Sequence, residues 1–131
     1  MLAPQFVSPF GLEVRVHPVK GRGIYAARAF EEGEVIEVSP VSIIDGTQAE
    51  LLESTPLGHH YFHWHGEDDD TWLGAIAFGL VSLANHAEDH NAGVWPDYDR
   101  QALVLEALRP IDAGEEITLH YDTELWFEAH P

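Results

Sequence analysis

Two stretches hold the residue types that could bind a ligand or react: residues 80–91, LVSLANHAEDHN, and residues 114–122, GEEITLHYD. The first is an apolar run that breaks off at Asn85 and His86, continues with acidic residues and reaches a second asparagine, Asn91. A buried amide or imidazole costs free energy unless its donors and acceptors are paired. Asn85 and His86 therefore belong either to the surface or to a fully satisfied site. Near the N-terminus, VKGRGIYAA places Arg22 between Gly21 and Gly23. Two glycines this close permit positive φ and let a ligand approach the backbone, although a Gly-x-Gly beside a strand is by itself an ordinary turn. The third glycine and following helix of a dinucleotide fingerprint are missing.

A third stretch, HHYFHWHGEDDD at residues 59–70, combines four histidines with four acids. His59 and His63 would share a helical face, and His63 and His65 a strand face, so the donor types of a metal site are present. The alternation of histidines with aromatics, ending in a Gly-Glu-Asp-Asp-Asp turn, favours a plain strand instead. No metal ligand is assigned from the sequence.

These residues need a frame, and composition bounds it. At 131 residues and 45% hydrophobic, the chain has the size of one domain with one core. Acidic residues number 23 against 6 basic, a formal net charge of −17. Such a charge repels nucleic acid and anionic membrane surfaces and attracts basic peptides, although solubility alone would also account for it. Without cysteine, neither a disulfide framework nor a thiolate zinc site can form. The first residues show no basic n-region and no sustained apolar stretch, so neither a signal peptide nor a membrane anchor is expected. A soluble cytoplasmic protein is expected, or one of the host nucleus if the chain is a viral or secreted effector.

Strands dominate the pattern. Residues 12–16, LEVRV, alternate as a half-buried strand does. Glu31-Glu32-Gly33 reads as a turn joining residues 24–30 to a second strand at 34–38, with Pro40 ending that pairing. Thr47 and Glu50 stand at capping-box spacing and start the best helix of the chain. Residues 72–83 read as a strand followed by a short helix, too short and too broken by Gly74 and Gly79 to span a bilayer. Residues 92–98 and 102–108 flank a Pro-Asp-Tyr-Asp-Arg turn as a hairpin, and a last strand covers 116–119.

In this order the motifs resemble the SET domain of protein lysine methyltransferases, from about Glu13 to Phe127. Lys20-Gly21-Arg22-Gly23-Ile24-Tyr25-Ala26 resembles the family's N-terminal glycine motif, followed by Phe30-Glu31-Glu32-Gly33-Glu34-Val35-Ile36. Leu83-Ala84-Asn85-His86-Ala87 with Asn91 resembles its asparagine-histidine motif, and Gly114-Glu115-Glu116-Ile117-Thr118-Leu119-His120-Tyr121 its C-terminal strand and catalytic tyrosine. The resemblance implies a mainly β fold, the β-clip of several small curved sheets with short helices, and a C-terminal segment threaded past the asparagine-histidine loop in a knot-like crossing. It implies a single domain over residues 1–131, like the minimal SET proteins of viruses and bacteria, some of which dimerise, so a homodimer is expected. The family's serine and cysteine after asparagine-histidine are absent here, Ala87 standing for the serine, and so is a cysteine-rich extension. A thiolate zinc lid over the substrate is thereby excluded.

The implied reaction is methyl transfer from S-adenosyl-L-methionine (SAM) to a lysine ε-amine of a basic protein, a histone-like or ribosomal-protein segment. A lysine in water is protonated, with a pKa of about 10.4, and an ammonium has no lone pair with which to attack. A narrow apolar channel favours the neutral amine and aligns it. By resemblance, Tyr121 carries the catalytic hydroxyl, and Tyr61 lines the lysine channel. Lys20, Gly21, Arg22, Gly23 and Tyr25 form the cofactor wall, with a basic side chain toward the donor carboxylate. Asn85 bonds the cofactor's amino-acid portion, His86 offers its backbone to adenine while its ring braces the crossing, and Asn91 holds the loop. Trp126 either stacks on adenine or closes the C-terminal core. Leu125 stands before it where related minimal proteins carry an aromatic, leaving the number of methyl groups open. The competing readings are a silent SET module that binds basic peptides and a small histidine-rich metal-binding β protein.

Overall fold

A computed structural model describes residues 4–7, 11–65 and 72–120. Among the described residues, ten strands form two five-stranded sheets, and one short α-helix and two 3₁₀ helices fill the connections. In the first sheet β1 (Pro4–Val7), β2 (Leu12–His17) and β3 (Gly21–Ala26) make an antiparallel meander. Its far side continues with β10 (Glu116–Leu119), antiparallel to β3, and then with β7 (Asn85–His86), parallel to β10. The register sets Thr118 beside Asn85 and Leu119 beside His86. This parallel pair brings the two chemistry-bearing stretches of the sequence side by side. The chain beyond His120, where the expected crossing would be completed, lies outside the described residues.

The second sheet runs β5 (Tyr61–His65), β6 (Trp72–Ala77), β4 (Val35–Asp45), β9 (Ala102–Ala107), β8 (Ala92–Asp97), antiparallel throughout. The expected hairpin across Glu31-Glu32-Gly33 does not form, because β3 and β4 belong to different sheets. That turn instead leads from one sheet to the other, held where Phe30 bridges Ile111. Pro40 ends only half of what was expected of it. It is the last residue of β4 paired with β9, and from Val41 the same strand continues against β6. Proline has no N–H to donate, so it sits where one ladder hands over to another.

The helix α1 (Gly46–Leu52) starts earlier than Thr47 and Glu50 suggested. Because β4 reaches Asp45 in an extended conformation, Asp45 becomes the cap: it accepts from the Gln48 amide at 2.8 Å, and the Gln48 side chain accepts from the Asp45 amide at 3.0 Å. This is a capping box two residues upstream of the expected one. The core lies between the sheets, with Leu12, Val14, Ile24, Phe62, Leu103, Leu105, Ile111, Ile117 and Leu119 among its fully covered side chains. Phe62 and Trp64 alternate inward on β5 while His63 and His65 remain partly or fully exposed, the pattern of a half-buried strand.

Candidate active site

The 3₁₀ helix Leu80–Leu83 ends at Ala84 and delivers the chain to Asn85. Its start is fixed by Glu37 of β4, whose carboxylate accepts from the amides of Leu80 and Val81, both at 3.0 Å, and from the Ser39 hydroxyl at 2.7 Å. Asn85 then extends its amide toward β3. Its Nδ2 donates to the Arg22 carbonyl at 3.1 Å and to Glu116 Oε2 at 2.9 Å. The other oxygen of Glu116 accepts from Lys20 Nζ at 2.6 Å. One carboxylate on β10 thus ties Lys20 of the expected cofactor wall to Asn85.

Lys20, Arg22 and Asn85 line one pocket of about 260 Å³ with His60, Ser82, Leu83 and Ala84. His60 is fixed by a 2.8 Å contact of its Nδ1 with the Ser82 carbonyl. The two glycines divide their work. Gly21 adopts φ +81°, where a side chain would be strained. Gly23 lets two side chains meet over it: a Cβ there would stand 2.7 Å from Glu116 Oε2 and 2.8 Å from Asn85 Nδ2 and would shift those ends.

Other expected site residues lie apart from this lining. Tyr25 is buried on β3 opposite Glu116, with the Arg15 guanidinium 5.5 Å over its ring. Tyr61 is fully covered, and its hydroxyl donates to Glu53 at 3.0 Å. His86 is exposed, with its ring edge-on to His120 at 4.6 Å. Its backbone takes part in the ladder to β10, which the Ala87 amide extends by donating to the Leu119 carbonyl at 2.9 Å. Asn91 is buried: Nδ2 donates to the Glu116 carbonyl at 2.7 Å and to Glu115 at 3.0 Å, and Oδ1 accepts from the Thr118 amide at 2.9 Å. Tyr121 and Trp126 lie outside the described residues. Sequence reasoning passed over Glu116, His60 and Ser82. Glu116 lies within the C-terminal motif, but with 23 acids against 6 basic residues nothing in the sequence singles it out as the partner of Lys20.

The Glu116 carboxylate also shapes the titration of this corner. Its hydrogen bond raises the Lys20 pKa, while burial first and the same carboxylate second raise that of Tyr25. Both folded values lie above the ordinary ones, so folding stability from these groups is complete below those values and is lost as pH rises through the folded ones. Stability is expected to be level near neutrality and to fall above pH 10.0, the ordinary tyrosine value. Denaturant titrations across that range would show the fall, and Glu116→Gln should make it shallower. An equally steep fall in that variant would remove Glu116 as a cause.

The family described as SET domain matches residues 21–122, and the chain belongs to the SET domain family. It is a protein-lysine N-methyltransferase, a class of enzymes that use SAM as a general property of the family. Over 129 residues it is 30% identical to a Schizosaccharomyces pombe protein named histone-lysine N-methyltransferase, H3 lysine-37 specific, covering 98% of this chain and 83% of that one. The fold is shared with the Neurospora SET domain protein DIM-5, a histone lysine methyltransferase, at a TM-score of 0.67 and 18% identity, over 84% of this chain and 51% of that one. A Plasmodium falciparum protein aligns with a TM-score of 0.64 at 18% identity, over 88% of this chain and 96% of that one.

Proposed function

We propose that this chain transfers a methyl group from SAM to the ε-amine of lysine in a basic protein segment of the histone type, and that the pocket between β3 and the Asn85 turn receives the amino-acid end of SAM. The observation that carries this reading is the convergence of Lys20, Arg22 and Asn85 on one polar pocket beside the strand that leads into Tyr121.

The donor set fits that end of the molecule. Lys20 brings an ammonium for a carboxylate, paired here with Glu116, and Asn85 brings its amide oxygen as an acceptor for an ammonium, its Nδ2 being held by the Arg22 carbonyl and Glu116. At about 260 Å³ the pocket is at the small end of ligand sites, suited to part of a cofactor. When bound, SAM supplies an electrophilic methyl on a sulfonium. The acidic chain draws in a cationic segment, and the histone character of the substrate is supported by the name of the fission-yeast relative. Tyr121 is assigned the hydroxyl that orients the neutral amine, and Tyr61 a wall of the lysine channel, its hydroxyl already held by Glu53.

Calorimetry tests the binding half. SAM should bind the purified chain, and Asn85→Ala should weaken it roughly 10-fold or more, because a partly buried polar group of the ligand loses its partner. Unchanged affinity in the variant would make Asn85 structural. No binding at millimolar SAM would remove this reading, and binding without transfer to any histone or ribosomal protein would leave a peptide-binding module.

A further inference from the structure

The parallel pairing of β7 with β10 has a second product on the solvent side of the same ladder. It sets His86 and His120 next to each other, with ring centroids 4.6 Å apart and nearly edge-on. Glu88, two residues beyond His86, turns its carboxylate between them, Oε2 standing 3.1 Å from His120 Nε2 and Oε1 3.5 Å from His86 Nε2. All three donor atoms lie within 4.8 Å of one another. Donors bound to one tetrahedral zinc at roughly 2.0–2.1 Å stand about 3.3 Å apart, so the edge from Glu88 Oε2 to His120 Nε2 already has that spacing, and His86 Nε2 lies within 4.8 Å.

We infer that His86, Glu88 and His120 form a binding site for a single divalent transition-metal ion, zinc in the first place, with the fourth position open to water or to His90. His90 is adjacent, its ring 5.4 Å from that of His120 and its Nδ1 3.3 Å from the Glu88 carbonyl. Two imidazole nitrogens and one carboxylate oxygen are the borderline donors that zinc accepts, whereas calcium and magnesium take oxygen sets. With no cysteine in the chain, this donor set owes nothing to thiolates. The Glu88 side chain is 87% exposed, which gives an ion direct entry from solvent. A bound ion would clamp the turn after β7 to the end of β10, one residue before Tyr121. Among the described residues, no histidine of β5 belongs to this cluster.

The metal-free full chain should be titrated with Zn²⁺ by calorimetry, and with Co²⁺ by visible absorption. One ion per chain is expected, with the intense d–d bands of tetrahedral Co²⁺ and a rise in melting temperature on zinc addition, since the site exists only in the folded chain. Glu88→Gln and His120→Ala should each weaken zinc binding at least roughly 10-fold, and His63→Ala/His65→Ala should leave it unchanged. Glu88 lies in an exposed turn, so its variant reports on binding even if His120→Ala fails to fold. Absence of binding at micromolar zinc, binding that survives Glu88→Gln, or loss of binding in the His63/His65 variant would each overturn the inference.

Discussion

Asn91→Ala is expected to lower folding stability by about 3 kcal/mol, a drop of roughly 10 °C in melting temperature for a domain of this size. Asn91 is buried and all three of its side-chain bonds reach the segment that becomes β10: the Glu116 carbonyl, the Glu115 carboxylate and the Thr118 amide. Alanine removes the side-chain partner of the Thr118 N–H and of the Glu116 C=O. Such stranded groups cost about 1–3 kcal/mol each. Asn91→Asp keeps the acceptor for Thr118 but loses both donors and places a second carboxylate beside Glu115, so it should also be destabilised. Thermal unfolding by circular dichroism measures both. An Asn91→Ala melting temperature within about 2 °C of the parent would mean that water replaces the amide and that β10 is held by the ladder alone.

The second large effect is expected at Glu37. Its carboxylate receives two consecutive backbone amides at the start of the 3₁₀ helix and the hydroxyl of the buried Ser39. Hydrogen bonds to a charged acceptor contribute about 1.5–3 kcal/mol, so Glu37→Ala should cost about 2–3 kcal/mol. Its consequence extends to the site, because the helix that it anchors ends one residue before Asn85. SAM affinity should fall together with stability. Glu37→Gln, keeping one acceptor oxygen, should show about half the loss. Gly79→Ala probes the same contact from the other side: its Cβ would stand 2.7 Å from Glu37 Oε1. Full stability in Glu37→Ala would show that the helix is positioned by packing of Val81 instead.

What the sequence revealed, and what it concealed, follows from the range of each interaction. Strands with local alternation were legible within a residue or two: 12–16 against Leu12–His17, 92–98 against Ala92–Asp97, and 116–119 against Glu116–Leu119. Non-local pairing was not. A strand of two residues, Asn85–His86, has no period to read, and only its parallel partner defines it. Pro40 argued for a strand end because the exchange of neighbouring strands that it permits depends on a distant partner. The helix cap moved to Asp45 because β4 ran longer than its pattern suggested.

The site divides in the same way. Lys20, Arg22 and Asn85 were reached through motif order, and the fold brings them to one pocket. Glu116 was hidden among 23 acidic residues, none of which stands out until β10 is placed beside β3. The metal-type cluster was sought in the histidine segment, where histidines are dense. Among the described residues, the group that converges is His86, Glu88 and His120, with His120 standing 32 positions after Glu88, and only the parallel ladder joins them.

The central claim is methyl transfer, and its most direct measurement is mass spectrometry of histones and ribosomal proteins after incubation with SAM and the purified chain, beside a Tyr121→Phe variant. The parent is expected to add methyl mass to lysine side chains, and the variant, still binding SAM, to lose most of that activity because the hydroxyl proposed to orient the amine is gone. Equal transfer by both would contradict the role given to Tyr121. No transfer by the parent to any basic protein, with SAM bound, would contradict the account of this chain as a working methyltransferase.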